Sequence, residues 1–429
     1  MLYPLSYQGG LGILREYDAM NKPDQPDAAN SGAAKRLPRT VVVLGFVSFF
    51  NDFASDIVVP LIPILLATVL AAGPVALGLI EGVADALACF LKLWAGRHSD
   101  VMSGRRKGLA LTGYTLSNLA RPLLGLAGSW VTVLLLRSVD RIGKGLRSAP
   151  RDAMVADATP PPIRGYAFGF HRALDNAGAV AGALAAAAIL AWSDLSLSEV
   201  ILWSALPGFV AVALLGAGVQ EAKANPDQST ELPRALAPLR WSALSEPLQH
   251  YLWVLMLFTF ARASETFILL FGHELGVSVV ELLLLWAALN LAKAVTSTQG
   301  GQLADHFGRG ALILIGWSAL AISFLALSQV TTAAGLWITG ILYGLLTGLS
   351  EGAERALISD YASPDERGTA FGWYHLVSGI AAIPAGLLFG VVWQVYGAAA
   401  AFTFAGLLAL LSTALLRLWA WPVKRPFNE

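Results

Sequence analysis

Charged residues are scarce in this chain. Of its 429 residues, 14% are Asp, Glu, Lys or Arg and 56% are hydrophobic. Soluble globular domains have about 25% charged and about 45 to 50% apolar residues, so the composition excludes a soluble protein. A membrane-spanning helix needs roughly 20 mostly apolar residues, and the apolar content here is enough for on the order of a dozen such helices.

Several functional signals are also missing. The 29 basic and 29 acidic side chains sum to zero, and no basic stripe indicates a nucleic-acid partner. The single cysteine, Cys89, excludes an intrachain disulfide and a cysteine metal cluster. No two histidines stand four residues apart, and no Gly-rich phosphate loop ends in Lys-Ser or Lys-Thr, so we expect neither a metal site nor a nucleotide cofactor. The string Gly348-Leu-Ser-Glu-Gly352 matches a hydrolase motif but lies in a predicted helix, and we expect no enzymatic activity.

Twelve apolar stretches, separated by short Gly, Pro or charged segments, predict an all-α membrane protein with twelve transmembrane helices. The stretches are 41–70, 74–96, 108–127, 129–146, 173–192, 198–217, 250–272, 277–300, 310–328, 332–350, 369–393 and 397–421. A polar segment separates six from six. The predicted domains are an N-terminal extension (1–40), a six-helix bundle (41–217), a linker (218–249), a second six-helix bundle (250–421) and a tail (422–429).

The basic residues predict the orientation. Lys and Arg occur only in every second connection, and the alternate connections, near 71–74, 125–129, 194–199, 273–278, 329–335 and 394–398, contain none. Basic loops stay in the cytoplasm. We therefore expect a multi-pass protein of the cell inner membrane with the extension, the linker, the tail and both termini in the cytoplasm.

An internal repeat relates the two predicted bundles. The string Arg164-Gly-Tyr-Ala-Phe-Gly169 recurs as Arg367-Gly-Thr-Ala-Phe-Gly372, and the same shift relates Gly145-Leu146 to Gly348-Leu349. Repeats in the same orientation predict two bundles related by an axis along the membrane normal, with a cavity between them.

The loops after the second and eighth predicted helices share a motif, in which Gly is followed after three residues by Asp and then by Gly and basic residues. The first copy has one extra residue and has Val101 where the usual pattern has Arg, and the second has His306 there. The chain resembles transporters of the major facilitator superfamily over about residues 40–421. The resemblance implies a two-bundle fold and a cytoplasmic gate formed by Gly96, Asp100, Arg105, Arg106, Gly301, Asp305, Gly308 and Arg309.

Charged side chains at membrane depth are the candidate functional residues. In the fourth predicted helix, Arg141 and Gly145 resemble an Arg-x-x-x-Gly element that the family uses in proton coupling, and Arg141 lies near the bilayer centre. A charge there costs roughly 2.5 to 3.5 kcal/mol, which predicts a partner or a water-filled cavity. The predicted coupling and substrate residues of the first bundle are Asn51, Asp52, Asp56, Glu81, Asp85, Arg137, Arg141 and Lys144. We expect Asp52 to exchange a proton as Arg141 approaches it, and a static salt-bridge network is the alternative.

The second bundle has fewer charges. Arg262 and Glu265 stand three residues apart in the seventh predicted helix, and this spacing predicts that they neutralise each other. His375, in the eleventh, titrates near neutral pH when its surroundings are ordinary. A structural, hydrogen-bonded histidine is the alternative there.

These features predict a secondary active transporter that moves a small solute by alternating access, coupled to protons in symport or antiport. The predicted partners are the substrate, an organic anion or zwitterion, together with protons and the lipid bilayer, and we expect a monomer. One alternative is a drug/proton antiporter that exports amphipathic compounds; its fifth-helix motif is only partly present, with Gly178 and Gly182 followed by Ala183 in place of Pro. The other is a non-transporting sensor or scaffold, which would have lost the gate glycines and the buried charges.

Overall fold

The computed structural model describes residues 37–101, 106–160, 163–219, 240–262, 264–307, 309–361 and 367–420. Helices occur at all twelve predicted places and are labelled α1–α12 in chain order, with interrupted helices given in two parts. They are α1 (Arg39–Val58 and Ile62–Thr68), α2 (Pro74–Val101), α3 (Arg106–Leu123), α4 (Trp130–Ala158), α5 (Arg164–Trp192), α6 (Leu197–Leu202 and Ala205–Gly218), α7 (Glu246–Ala261 and Thr266–Glu274), α8 (Val279–Phe307), α9 (Arg309–Leu327), α10 (Ala333–Tyr361), α11 (Arg367–Tyr396) and α12 (Ala398–Leu418). The prediction of an all-helical membrane fold is confirmed.

Two helices are interrupted at places that matter for the site. In α1, a 3-10 turn from Val59 to Leu61 separates the two parts, and prolines at 60 and 63 remove backbone N–H donors there. In α7, the helix stops after Ala261 and begins again at Thr266. Each break exposes backbone groups at membrane depth, where they need polar surroundings.

Hydropathy separates the helices into two kinds. Within the described residues, nine helices are long and apolar enough to cross a membrane, and α10 has a shorter apolar part, Ala333–Leu349. The helices α3 and α4 are not among the nine. Both helices are amphipathic. Within three turns, α4 has five charged residues: Arg137, Asp140, Arg141, Lys144 and Arg147. Their charges are the starting point of the candidate site.

We call the two ends of the helices the basic end, where Arg39, Arg106, Arg151 and Arg240 lie, and the opposite end. The N-terminal half (α1–α6) and the C-terminal half (α7–α12) contact each other at the opposite end, where the second parts of α1 and α7 pack together. The pairs α2 with α11 and α5 with α8 also join the halves.

Glycines bring α2 and α11 into backbone contact. A Cβ added at Gly78 would overlap the carbonyl oxygen of Gly386, and one added at Gly386 would overlap that of Gly78. A turn away, a Cβ at Gly390 would overlap the carbonyl of Pro74. Small residues of this kind let membrane helices approach closely without any apolar driving force between them.

We expect Gly386→Ala to destabilise the protein by about 1 to 3 kcal/mol, because the methyl group must push α11 away from α2. Thermal unfolding of the purified protein in detergent measures the loss. Gly169→Ala is the matched control, since a Cβ there meets no atom within 4 Å. Equal stability of the two variants would contradict the close contact.

Candidate functional site

Four charged side chains form a buried cluster inside the N-terminal half. Arg121 of α3 donates from Nε to Asp140 Oδ1 at 2.9 Å, and Arg137 donates from Nη1 to Asp140 Oδ2 at 3.1 Å. Arg137 Nη2 also lies 3.3 Å from the carboxylate of Glu81 in α2. Their charges sum to zero. We call Glu81, Arg121, Arg137 and Asp140 the neutral cluster; it joins α2, α3 and α4.

Hydrogen bonds extend the neutral cluster to α1. Arg121 Nη1 donates to the carbonyl oxygen of Asn51 at 2.9 Å and to the side-chain oxygens of Asn51 and Asn118 at 3.1 Å. Asn51 Nδ2 in turn donates to Asp52 Oδ1 at 2.8 Å. The side chain of Asn51 is thereby fixed between the cluster and Asp52.

Arg147 is also held in place, about two turns of α4 nearer the basic end than Asp140. Its Nη1 donates to Ser117 Oγ at 2.6 Å, and its guanidinium carbon lies 4.9 Å from the centre of the Tyr114 ring. Ser117 donates to the carbonyl oxygen of Asp140 at 2.8 Å. These contacts fix the packing of α3 on α4.

Arg141 and Lys144 differ from the other basic residues of α4. Both are half-buried, and neither side chain makes a hydrogen bond or an ion pair within the described part of the chain. The Nε atom of Arg141 is buried without a hydrogen-bond partner there. Electrostatic interactions reach Arg141 from Arg137, Asp140, Glu81 and Asp85, and they reach Lys144 from Arg141, Lys92 and Asp52. Among the described residues, no counter-ion contacts either cation.

The two carboxylates of α1 have different surroundings. Asp52 is half-buried, and the charges that act most strongly on it are those of Asp175, Lys144, Arg147 and Arg121. The exchange of a proton at Asp52 as Arg141 approaches it stays a prediction, and Arg141 is not among the charges that act most strongly on Asp52 in this structure. Asp56 accepts a hydrogen bond of 2.8 Å from Nε1 of Trp286 in α8. This bond crosses from one half to the other.

A second polar site lies in the C-terminal half, around the break in α7. Lys293 of α8 forms an ion pair with Glu265, which also accepts from the hydroxyl of Tyr343 at 3.2 Å. Arg262 lies 3.8 Å from Glu354 of α10, and Glu354 accepts from Trp317 Nε1 at 2.8 Å. A cavity of about 180 Å³ opens between these side chains.

The predicted pairing of Arg262 with Glu265 is therefore wrong. The break between Ala261 and Thr266 turns the two side chains toward different helices, so that spacing along a continuous helix no longer applies. His375 of α11 lies beside Tyr374, with 5.2 Å between the ring centres. None of the described side chains of α11 lines the cavity.

Other predicted residues are placed as follows. Asp85 is exposed on α2. Arg106, at the basic end, forms an ion pair with Asp157 of α4. The other gate residues lie outside the described residues, in whole or in their side chains: Gly96, Asp100, Arg105, Gly301, Asp305, Gly308 and Arg309. Among the described side chains, no group of three or more His, Cys, Asp or Glu is placed to hold a metal ion.

Sequence reasoning missed several residues of these sites, among them Arg121, Trp286 and Glu354. Arg121 had a usable signal, since it is an arginine inside a predicted membrane helix. Glu354 had a weaker one, because it lies past the apolar part of α10. Trp286 had none, because tryptophans are common in membrane helices and only the fold brings this indole to Asp56.

Comparisons with known proteins agree with this architecture. The family model described as Major Facilitator Superfamily matches residues 44–291 and 251–428. An uncharacterised MFS-type transporter of Methanocaldococcus jannaschii is 29% identical over 393 residues, which is 90% of this chain and 96% of that protein. An uncharacterised protein of Mycobacterium tuberculosis is 29% identical over 366 residues, covering 83% of this chain and 87% of that protein.

Solved structures share the fold. The nucleoside transporter NupG superposes with a TM-score of 0.74 at 14% identity, over 89% of this chain and 100% of that one. The inward-open xylose transporter XylE from E. coli superposes with a TM-score of 0.69 at 16% identity, over 90% of this chain and 97% of that one. The human organic anion transporter MFSD10 superposes with a TM-score of 0.63 at 20% identity, over 88% of this chain and 99% of that one.

Proposed function

The chain belongs to the major facilitator superfamily, and we therefore propose that it is a proton-coupled transporter that moves a small organic anion or zwitterion by alternating access. Two six-helix bundles, α1–α6 and α7–α12, move against each other in this proposal, with the substrate bound between them. We also propose that the basic end and both termini are cytoplasmic, in the cell inner membrane, and that the monomer is the working unit.

One observation carries the coupling part of the proposal. Asp52 is a half-buried carboxylate at membrane depth, and its one hydrogen bond among the described residues comes from a neutral amide. Lys144 makes no side-chain hydrogen bond or ion pair with those residues and interacts electrostatically with Asp52. Carboxylates of this kind inside membrane segments mark proton relays and substrate pathways. Glu81 and Asp140, by contrast, form ion pairs with the arginines of the neutral cluster.

Asp56 supplies a link between proton and conformation. It lies roughly 25 Å along α1 from Arg39, toward the opposite end. Its bond to Trp286 exists only while α1 and α8 are close together there. We propose that breaking this bond accompanies opening at the opposite end.

Transport by purified protein in proteoliposomes tests the proposal. A panel of anions, zwitterions and amphipathic cations is offered under an imposed pH gradient. Proton symport of an anion or zwitterion requires accumulation when the lumen is the alkaline side. A drug/proton antiporter would instead accumulate a cation when the lumen is acidic, and a sensor or scaffold would move no solute.

We expect Trp286→Phe to shift the protein toward the state that is open at the opposite end. A hydrogen bond to a charged group contributes about 1.5 to 3 kcal/mol, so the shift should be roughly tenfold or more in population. Spin labels at positions 194 and 331, in turns of the two halves at the opposite end, report the change as a longer distance in a Cys89→Ala background.

Trp393→Phe is the matched control for that variant. Its indole donates to Glu274 at 3.0 Å, but both residues belong to the C-terminal half. The distance between the labels should therefore stay at its wild-type value. The same lengthening in both variants would show that loss of packing, and not the bond between the halves, moves the helices.

A further inference from the structure

We propose that the substrate carries a carboxylate or phosphate group and that Arg141 and Lys144 bind it, an inference that rests on the transport function proposed above. Of the two substrate classes proposed above, an anion and a zwitterion, this inference selects the anion. It also assigns to these two side chains a binding role that is separate from the proton chemistry of Asp52.

The first step is the pairing of the other basic side chains of α3, α4, α7 and α8 at membrane depth. Arg121 and Arg137 share Asp140, and Arg137 also contacts Glu81. Arg147 is held by Ser117 and the Tyr114 ring. In the C-terminal half, Arg262 and Lys293 lie beside Glu354 and Glu265.

Two cations of α4 remain, Arg141 and Lys144, whose side chains make neither a hydrogen bond nor an ion pair within the described part of the chain. An isolated charge at this depth costs several kcal/mol unless water or an ion of opposite sign compensates it. The half-burial of both side chains leaves room for such an ion. In a transporter, an anionic substrate can compensate these charges while it is bound, and it leaves again when it is released.

The second step is geometry. Residues three apart in a helix lie on the same face, one turn above the other, with about 5 to 6 Å between their Cβ atoms. A guanidinium presents a planar pair of donors that matches a carboxylate or a phosphate, and an ammonium adds a point charge beside it. Arg141 and Lys144 therefore offer one anionic group two complementary ligands from a single helix.

The third step links anion binding to the proton. The first part of α1, which carries Asp52, packs against α4, and Asp52 attracts Lys144 electrostatically. An ionised Asp52 and a bound anion therefore compete for the same ammonium group. When Asp52 takes a proton on its carboxylate, Lys144 is released to the anion. The proton therefore binds first and the anion second. When Asp52 releases its proton on the other side of the membrane, the affinity for the anion falls.

Several charged groups face Asp52, and each of them influences this competition. They are Lys144 and Arg147 from α4, Arg121 from α3 and Asp175 from α5; Asp56 of α1 and His171 of α5 also interact with Asp52. Arg121 and Arg147 are fixed by hydrogen bonds, and Asp175 lies beside His171 and Arg172. Lys144 alone among these four makes no hydrogen bond or ion pair in the described residues, so it is the group free to exchange partners.

The test uses probes with one skeleton and different charge: benzoate, phenyl phosphate, benzamide, benzylamine and 4-(aminomethyl)benzoate. A second set on a pentyl or butyl chain comprises valerate, butyl phosphate, valeramide and butylamine. Binding to the purified full-length protein is measured as the shift of the thermal unfolding midpoint with ligand concentration. We expect stabilisation by a carboxylate or a phosphate of at least one skeleton, and none by its amide or amine.

Arg141→Gln and Lys144→Gln should each weaken anion binding at least roughly tenfold. Lys107→Gln is the control, because the Lys107 ammonium donates to the Gly216 carbonyl at the basic end. Asp52→Asn should bind the anion at pH 8 as tightly as the wild type does at pH 5.5, since it mimics the protonated carboxylate.

Three results would overturn the assignment: wild-type anion affinity in both α4 variants, equal stabilisation by the amides, or preference for an amine or for the zwitterion. Absence of anion-specific stabilisation on both skeletons also counts against it. Failure of the coupling proposal looks different. In that case the anion binds and exchanges, and the α4 variants lose it, but the pH gradient drives no accumulation and Asp52→Asn changes nothing.

Discussion

Asp52→Asn should abolish accumulation of substrate against a gradient while leaving exchange across the membrane largely intact. The amide keeps the size and the hydrogen bond from Asn51, but it cannot lose or gain a proton. A proton gradient of one pH unit corresponds to about 1.36 kcal/mol, so a symporter moving one proton accumulates substrate up to about tenfold. The variant should reach only equal concentrations, as measured by uptake and counterflow in proteoliposomes.

Asp85→Asn is the matched control for this variant. Asp85 is also a carboxylate of a membrane helix, but it is exposed on α2 and acts on Arg141 more than on Lys144. Its replacement should leave accumulation in place. If Asp52→Asn and Asp56→Asn both accumulated substrate with the wild-type dependence on pH, the two carboxylates of α1 would be structural. Coupling would then belong to another acid, with Asp85 first because Glu81 and Glu265 are held in ion pairs.

Asp140→Asn should cause the largest loss of stability of any single polar substitution proposed here. Asp140 is 1% exposed and accepts from two arginines, so an amide in its place leaves two buried guanidinium groups without their shared carboxylate. Breaking a buried ion pair by removing one partner costs about 3 to 5 kcal/mol. Thermal unfolding in detergent, followed by the monodisperse fraction on size exclusion, measures the loss.

Asp157→Asn makes the same chemical change in the same helix and serves as the control. Its carboxylate is 58% exposed and pairs with Arg106 at the basic end. Exposed ion pairs contribute about 0 to 1 kcal/mol, so this variant should unfold close to the wild type. If Asp140→Asn were equally stable, the neutral cluster would not hold α2, α3 and α4 together.

The helices could be predicted because each one needs its own apolar stretch. Their ends could not, because hydropathy detects only the part inside the lipid. The apolar stretch 129–146 predicts a helix that ends near Leu146, whereas α4 continues to Ala158 with an amphipathic extension at the basic end. In the same way, α5 begins at Arg164, nine residues before the stretch that starts at 173.

The candidate site could be predicted as a set of residues but not as a set of pairs. Depth along a helix follows from counting residues, and this placed Glu81, Arg137 and Arg141 in the membrane. Which of them meet depends on how each helix is rotated about its axis and on which helix lies next to it. The sequence carries little information on either, so the ion-pair partners of Arg262 and Glu265 and the role of Arg121 could not be predicted.

The unusual polarity of α4 has a consequence for how the protein is made. A segment with five charges in three turns enters lipid poorly when it leaves the translocon alone. The chain turns back between Leu126 and Trp130, and Arg121 and Asp140 then lie side by side and neutralise each other. We therefore expect α3 and α4 to enter the bilayer together as a hairpin, after α2 has inserted and placed Glu81 where it can pair with Arg137. We also expect insertion of the N-terminal half to depend on the same ion pairs that later hold it together.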